Sequence, residues 1–197
     1  GGEVTGVQLS TGETIAAQVV IVGKGVKPNL ELAQGAGIAT ERGILVNELM
    51  ETSSKGVFAA GDVAQAVDIV SGQPKINAIW PNAAEQGKVA GRNMAGANTA
   101  YEGSLAMNSA DFFGLSVIAA GKTRVAAGEA GFEVTRFNAG TDSYRALIFQ
   151  EDKLAGYILV GDTAKAGLLT ALIREGMPLG KVREQLRQGI IRPRLLW

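Results

Sequence analysis

One carboxylate stands where a short apolar strand is predicted to end. Residues 55–62 read Lys-Gly-Val-Phe-Ala-Ala-Gly-Asp, so a strand over 57–60 runs into Gly61 and then presents Asp62. In open α/β sheets, ligands bind outside the carboxyl ends of the strands. An ionised Asp there only accepts hydrogen bonds, which suits the hydroxyls of a sugar or a ribityl chain. The alternative is that Asp62 caps the helix or turn that follows, a common role for Asp after a strand.

A second polar group is predicted at the start of a helix. Trp80 and Pro81 precede Asn82, and Glu85 follows Asn82 at the spacing of a capping box. The first N–H groups of a helix carry partial positive charge and stabilise an anionic oxygen placed against them, such as the pyrimidine edge of a reduced flavin. For Trp80, the alternative is a structural role between two layers. Asp62 and this helix terminus could form the two halves of a cofactor cradle.

The composition leaves redox chemistry to a bound cofactor. The 197 residues include no Cys and no His, so they supply no thiolate and no imidazole base or metal ligand. We therefore expect no catalytic side chain and no metal site in this chain. Basic and acidic residues balance at 19 each, which predicts no general attraction to nucleic acid or membrane. With no secretory pattern or membrane-spanning apolar run in these residues, we expect a cytoplasmic protein.

The elements that position these groups are predicted in residues 1–98. A small-residue ridge recurs every fourth position along the helix that follows Trp80, and its two interior glycines cost roughly 1 kcal/mol each relative to Ala. We expect that another element packs closely on this ridge, which would explain why glycine is used there despite this cost. The remaining predicted elements are a hairpin of 4–9 with 14–17, a buried β-branched strand at 18–22, a short helix from Asn29 to near Gly35, a strand at 44–47, and a hairpin of 67–70 with 76–79; the ridge is Ala83, Gly87, Gly91 and Ala95.

Residues 103–197 have the pattern of a separate α+β domain, because strands come first and a helical pair follows. Asp162 is predicted to cap a helix that reaches about Glu175, and a second helix ends near Gln188. A helix-turn-helix DNA reader at 163–188 is disfavoured by the balanced charge. The predicted strands are 104–120, 132–138, 144–150 and 154–160, and the apolar stripe of the first helix is Leu168, Leu169, Leu172 and Ile173.

Three segments carry a resemblance to a known family. Val-Gly-Lys-Gly-Val-Lys-Pro-Asn at 22–29, Val-Phe-Ala-Ala-Gly-Asp-Val-Ala at 57–64 and Ile-Trp-Pro-Asn-Ala-Ala-Glu-Gln-Gly at 79–87 are similar to the C-terminal portion of the pyridine nucleotide-disulfide oxidoreductases. Residues 104–180 resemble the small C-terminal domain of the nitrite reductase and NADH:rubredoxin reductase branch. The fold class that this resemblance implies is an α/β partial FAD-binding domain (its second segment), followed by a small α+β C-terminal domain. Residues 1–98 would then be the end of the NAD(P)H domain and that second segment.

The resemblance also implies a function and a set of binding residues. It implies an FAD-dependent NAD(P)H oxidoreductase that passes electrons to a protein or small acceptor, and it allows a homodimer. The competing hypothesis is a non-catalytic dimerisation or docking module. The family's GxGxxG motif is absent, because after Gly23-Lys24-Gly25 the position of the third glycine holds Pro28. A chain without His also cannot hold the family's His-Glu acid–base pair. The implied cofactor-binding residues are Gly61, Asp62, Val63, Trp80, Asn82 and Ala83.

A basic stretch near the end of the sequence suggests a partner. Between 181 and 194, five positive residues face only Glu184. Such clustering would steer an acidic electron carrier, for example a rubredoxin-like acceptor. The alternative is a solvated helix face with a frayed tail. The five residues are Lys181, Arg183, Arg187, Arg192 and Arg194.

Overall fold

A five-stranded antiparallel sheet with two helices forms the C-terminal half of the fold. The computed structural model describes residues 2–138, 140 and 142–191. Within them the sheet has the order β6-β7-β10-β9-β8, and successive residues of β9 join two different clusters, Leu147 and Phe149 in one and Ala146 and Ile148 in the other. The elements are β6 (Met107–Phe112), β7 (Leu115–Gly121), β8 (Phe132–Asn138), β9 (Tyr144–Gln150), β10 (Lys153–Val160), α3 (Ala166–Glu175) and α4 (Lys181–Arg187).

The apolar stripe of α3 buries one face of this sheet. Leu169, Leu172 and Ile173 are buried in one cluster with Leu147, Phe149, Tyr157 and Leu159 of the strands. The predicted strands at 132–138 and 144–150 are confirmed to the residue. The predicted strand at 104–120 is divided in two by a turn in which Phe113 and Gly114 both have positive φ, a conformation that a continuous strand cannot contain.

The N-terminal half consists of a hairpin, a small sheet and one long helix. In the small sheet, β3 runs parallel to β4, and β5 is antiparallel to β4. Met50, Ala64 and Ala66 pack with Val89 and Ala90 of α2 in a second, smaller core. The elements are β1 (Gly6–Gln8), β2 (Thr14–Ala16), α1 (Glu31–Gly35), β3 (Ile44–Leu45), β4 (Ala64–Val67), β5 (Pro74–Lys75) and α2 (Trp80–Met94).

The predicted buried strand at 18–22 is wrong for this structure. No described strand pairs with this run, and Ile21 is 91% exposed. A β-branched run has no reason to stay extended and buried without neighbouring strands on both sides. The segment 57–60 likewise makes only a single bridge, between Glu51 and Phe58, and the second hairpin starts at Ala64, three residues before its predicted position.

The two glycines of the small-residue ridge on α2 have no close neighbour among the described residues. Gly87 and Gly91 are exposed, and a Cβ at either would meet no atom within 4 Å. The close packing expected from the sequence is therefore wrong for the described residues.

The helix caps also differ from their predictions. The α3 helix begins at Ala166, and the Asp162 carboxylate accepts the Ala164 amide at 3.2 Å in the turn before it. At α1, the Asn29 side chain accepts the Glu31 amide at 3.2 Å, whereas the left-handed exit is made by Gly37, not by Gly35. Short polar side chains bond nearby amides in several geometries, so spacing alone does not fix which amide is chosen.

Candidate cofactor-binding site

Asp62 lies in a tight turn that leads into β4. The Ala64 amide donates to the Gly61 carbonyl at 2.9 Å, closing the turn, and Gly61 has φ 84, a left-handed conformation that favours glycine. Val63 ties the turn to β3 because its carbonyl accepts the Ile44 amide at 2.8 Å. Asp62 therefore precedes a strand instead of ending one, which corrects the predicted position.

The Asp62 carboxylate faces solvent without a partner in the described part of the chain. The residue is exposed, and none of the hydrogen bonds and ion pairs found among residues 2–138, 140 and 142–191 involves its side chain. It therefore caps no helix and holds no turn together. A carboxylate held in this way can accept hydrogen bonds from ligand hydroxyls without first losing a protein contact.

The turn is held against α2 by a buried glutamine that sequence reasoning missed. The Gly61 amide donates to Oε1 of Gln86 at 2.8 Å, and Gln86 is only 3% exposed. A Cβ built on Gly61 would lie 3.6 Å from Cβ of Ala83, so Gly61 and Ala83 are neighbours. The signal was present in the sequence: Gln86 lies on the same helix face as Asn82, Val89 and Ala90, which are all buried.

The N-terminus of α2 lies beside this turn and carries no side-chain cap. The N-cap is Ile79, in extended conformation, and Pro81 occupies the first helical turn, where its missing N–H costs nothing. The Ala83 amide makes the first helical bond, to the Ile79 carbonyl at 3.0 Å. Of the described backbone amides before it, those of Trp80 and Asn82 have no backbone partner, so this end keeps its partial positive charge. Trp80 is 82% exposed.

Asn82 braces the helix from inside, so the predicted capping box is wrong. Its side chain is buried at 1% exposure, and Nδ2 donates to the carbonyls of Asn77 at 2.9 Å and Leu105 at 3.1 Å. Glu85 turns away to Arg174, at 3.8 Å. The Nδ2 group of Asn82 is therefore used within the protein, Oδ1 is buried without a described partner, and the backbone amide is free to face a ligand.

A buried carboxylate organises the hairpin that connects β4 to α2. Burial would raise the pKa of Asp68, but hydrogen bonds from Ser71, Asn77 and Lys75 outweigh it and lower the pKa below its usual value. The Lys75 ammonium lies 3.1 Å from the Asp68 carboxylate. Asn77 also donates to Ser104 Oγ at 2.8 Å, so this cluster ties the α2 entrance to the start of the C-terminal sheet.

Neither a metal site nor a membrane-spanning helix is found among the described residues. Among them, no cluster of acidic, Cys or His side chains could hold a metal ion. None of the helices in the described ranges has the length and apolarity required to cross a bilayer. The site consists of a carboxylate, a helix N-terminus and an exposed aromatic ring, a set that can bind a polyhydroxylated ligand with an electron-rich heterocycle.

Comparison with known proteins agrees with this description. Residues 1–87 match the family model of the pyridine nucleotide-disulphide oxidoreductases, and residues 107–177 match that of the rubredoxin NAD+ reductase C-terminal domain. The chain belongs to the pyridine nucleotide-disulphide oxidoreductase family. The two matches together account for the α/β segment with its small C-terminal domain that the sequence predicts.

Named relatives give the family match more detail. The chain is 36% identical to the epsilon subunit of an NADH-dependent phenylglyoxylate dehydrogenase from Aromatoleum evansii, over 90% of this chain and 42% of the relative. It is 33% identical to an NADH-rubredoxin oxidoreductase from Clostridium acetobutylicum, over 78% of this chain and 38% of the relative. A ferredoxin reductase from Rhodopseudomonas palustris superposes with a TM-score of 0.74 at 28% identity, covering 89% of this chain and 42% of that one. The chain thus spans less than half the length of these proteins.

Proposed function

We propose that this chain is the part of an FAD-dependent NAD(P)H oxidoreductase that holds the ribityl chain and the pyrimidine edge of the flavin. The observation that carries the proposal is the exposed Asp62 carboxylate, which has no partner among the described residues, beside the uncapped N-terminus of α2. Family membership supports it, as do relatives that are named for NADH-dependent electron transfer.

Each predicted binding residue has a role in this proposal. Asp62 accepts hydrogen bonds from ribityl hydroxyls, and Gly61 and Val63 hold its turn in place. The backbone amide of Asn82 faces the pyrimidine edge, and Trp80 covers the ring from outside. Ala83 contributes as the contact point for Gly61, because its own amide is used within the helix.

FAD, when bound, would supply the two-electron chemistry that side chains cannot. The protein's contribution is to orient the flavin and to place positive partial charge at its pyrimidine edge. That charge would stabilise negative charge on a cofactor edge placed against the start of α2. Within 1–98 there is no GxGxxG to hold the FAD pyrophosphate. Residues 1–98 would therefore be the end of an NAD(P)H domain and the second segment of a flavin-binding domain, and 103–197 would be the α+β C-terminal domain.

The acceptor in this proposal is a rubredoxin-like redox protein in the cytoplasm. The match of 107–177 to a rubredoxin reductase domain supports it. Two of the basic residues in this stretch are paired with carboxylates of the same chain. Arg183 lies 3.0 Å from Glu133, and Arg187 lies 2.7 Å from Glu133 and 3.1 Å from Glu184. Among the described residues of the predicted cluster, Lys181 is exposed and forms no ion pair, while Arg192 and Arg194 lie outside the described residues. An acidic carrier would therefore meet less positive charge here than the sequence count indicates.

The experiment that tests the function uses the protein that contains this chain together with a complete flavin-binding domain. We expect the purified protein to be yellow, its flavin absorbance to bleach anaerobically with NADH or NADPH, and a rubredoxin to restore the absorbance. A colourless protein that takes up no FAD and assembles as a dimer would instead support the docking module.

A further inference from the structure

Gln86 is a buried amide that forms a hydrogen bond with the turn that carries Asp62. Its carboxamide lies at 3% exposure, and Oε1 accepts the Gly61 amide at 2.8 Å. Burying an amide is unfavourable unless it is hydrogen-bonded. The position therefore requires a polar side chain for a specific bond, since an apolar residue would fill a buried face equally well.

This bond fixes a short and constrained piece of backbone. Gly61 and Ala64 close the turn with one hydrogen bond of 2.9 Å, so only Asp62 and Val63 lie between the two anchored residues. Gln86 is one helical turn beyond Asn82, whose backbone amide is free at the start of α2. The Gln86 side chain is therefore the polar link between the carboxylate and the helix terminus of the site.

We infer that Gln86 is a positioning residue, which sets the distance of Asp62 from the N-terminus of α2 and so the reach of Asp62 to the ribityl chain. This inference rests on the proposed function. Gln86 itself contacts no flavin atom in it; it acts through the Gly61 amide.

The first test measures the hydrogen bond between Gln86 and the Gly61 amide in this chain without a cofactor. Gln86→Met keeps the length and removes the acceptor, Gln86→Glu keeps an acceptor oxygen, and Gln73→Met is the matched control on the exposed hairpin. Amide hydrogen exchange, followed by NMR, should accelerate at Gly61 in Gln86→Met by about 10-fold, the equivalent of one net hydrogen bond. Exchange should stay near wild type in the other two variants. Unchanged exchange at Gly61 in Gln86→Met would overturn the inference.

The second test is a double-mutant cycle on FAD affinity, in the protein with its complete flavin-binding domain. Gln86→Met should weaken FAD binding by about 3- to 10-fold, and this loss should largely vanish when Asp62 is already Ala, because the two residues act through one contact. Equal losses in both backgrounds would show a merely structural role and reject the inference while the proposed function stands. A wild-type protein that binds no FAD would reject the proposed function itself.

Discussion

Replacing Asn82 by Asp keeps the shape of the side chain and removes its two N–H donors. In the structure Nδ2 serves the carbonyls of Asn77 and Leu105 at 2.9 and 3.1 Å, with the side chain buried. Each lost bond removes about 0.5–1.5 kcal/mol, and a buried carboxylate facing unsatisfied carbonyls adds about 1–3 kcal/mol. We expect the free energy of unfolding to fall by about 2–6 kcal/mol at neutral pH.

The assay is urea unfolding of this chain, with Asn108→Asp on the exposed strand β6 as the matched control, which should change stability by less than about 0.5 kcal/mol. Burial raises the pKa of a carboxyl group, so the Asp introduced at 82 should bind a proton more readily when folded. The loss should therefore shrink as the pH is lowered, because the protonated form regains one donor. Equal midpoints for the two variants at neutral pH would refute the role of Asn82 as a brace.

Three further predictions follow from the same structure. Gly156→Ala should destabilise the chain by about 1–3 kcal/mol, because its Cβ would lie 2.0 Å from the Lys122 carbonyl oxygen. Gly87→Leu should be nearly neutral, because a Cβ at this position meets no described atom within 4 Å. A lower melting temperature for Gly87→Leu than for Gly156→Ala would contradict the packing described here. The pKa of Asp68 is depressed in the folded state, so the stability that its carboxylate adds is complete above its unfolded pKa of about 3.9 and is lost as the pH falls through the lower folded value. As the pH is lowered through this range, the melting temperature of wild type should therefore fall more than that of Asp68→Asn. Melting temperatures that fall in parallel for the two proteins would argue against this role of Asp68. Glu133→Gln releases two arginines and should cost about 1 kcal/mol in urea, less at high salt; an unchanged midpoint at low salt would show that these pairs add nothing.

The sequence predicts best where pattern and packing agree. The alternation in β8 and β9 and the stripe on α3 lie against each other in one core, so a local period was enough to locate them. The run at 18–22 has an equally clear β pattern, but it has no strand beside it in the described chain, and propensity alone does not bury it.

The candidate site shows the same division. Motif resemblance pointed to the turn at Asp62 and to the start of α2, and the structure places these two segments side by side. The spacing of Asn82 and Glu85 suggested a capping box, yet the helix starts earlier because Pro81 fits its first turn. The helical period places Gln86 on the buried face of α2, but it does not identify a partner 25 residues away, which is where Gly61 lies.

In the proposed function, Asp62 binds the cofactor and does not support the fold. The most direct measurement is the FAD content of the protein with its complete flavin-binding domain after gel filtration, for wild type, Asp62→Ala and the exposed control Asp142→Ala. We expect wild type and Asp142→Ala to retain FAD and Asp62→Ala to lose most of it, while the melting temperature of the apo form stays unchanged. Full retention of FAD by Asp62→Ala, or collapse of its apo form, would contradict the account.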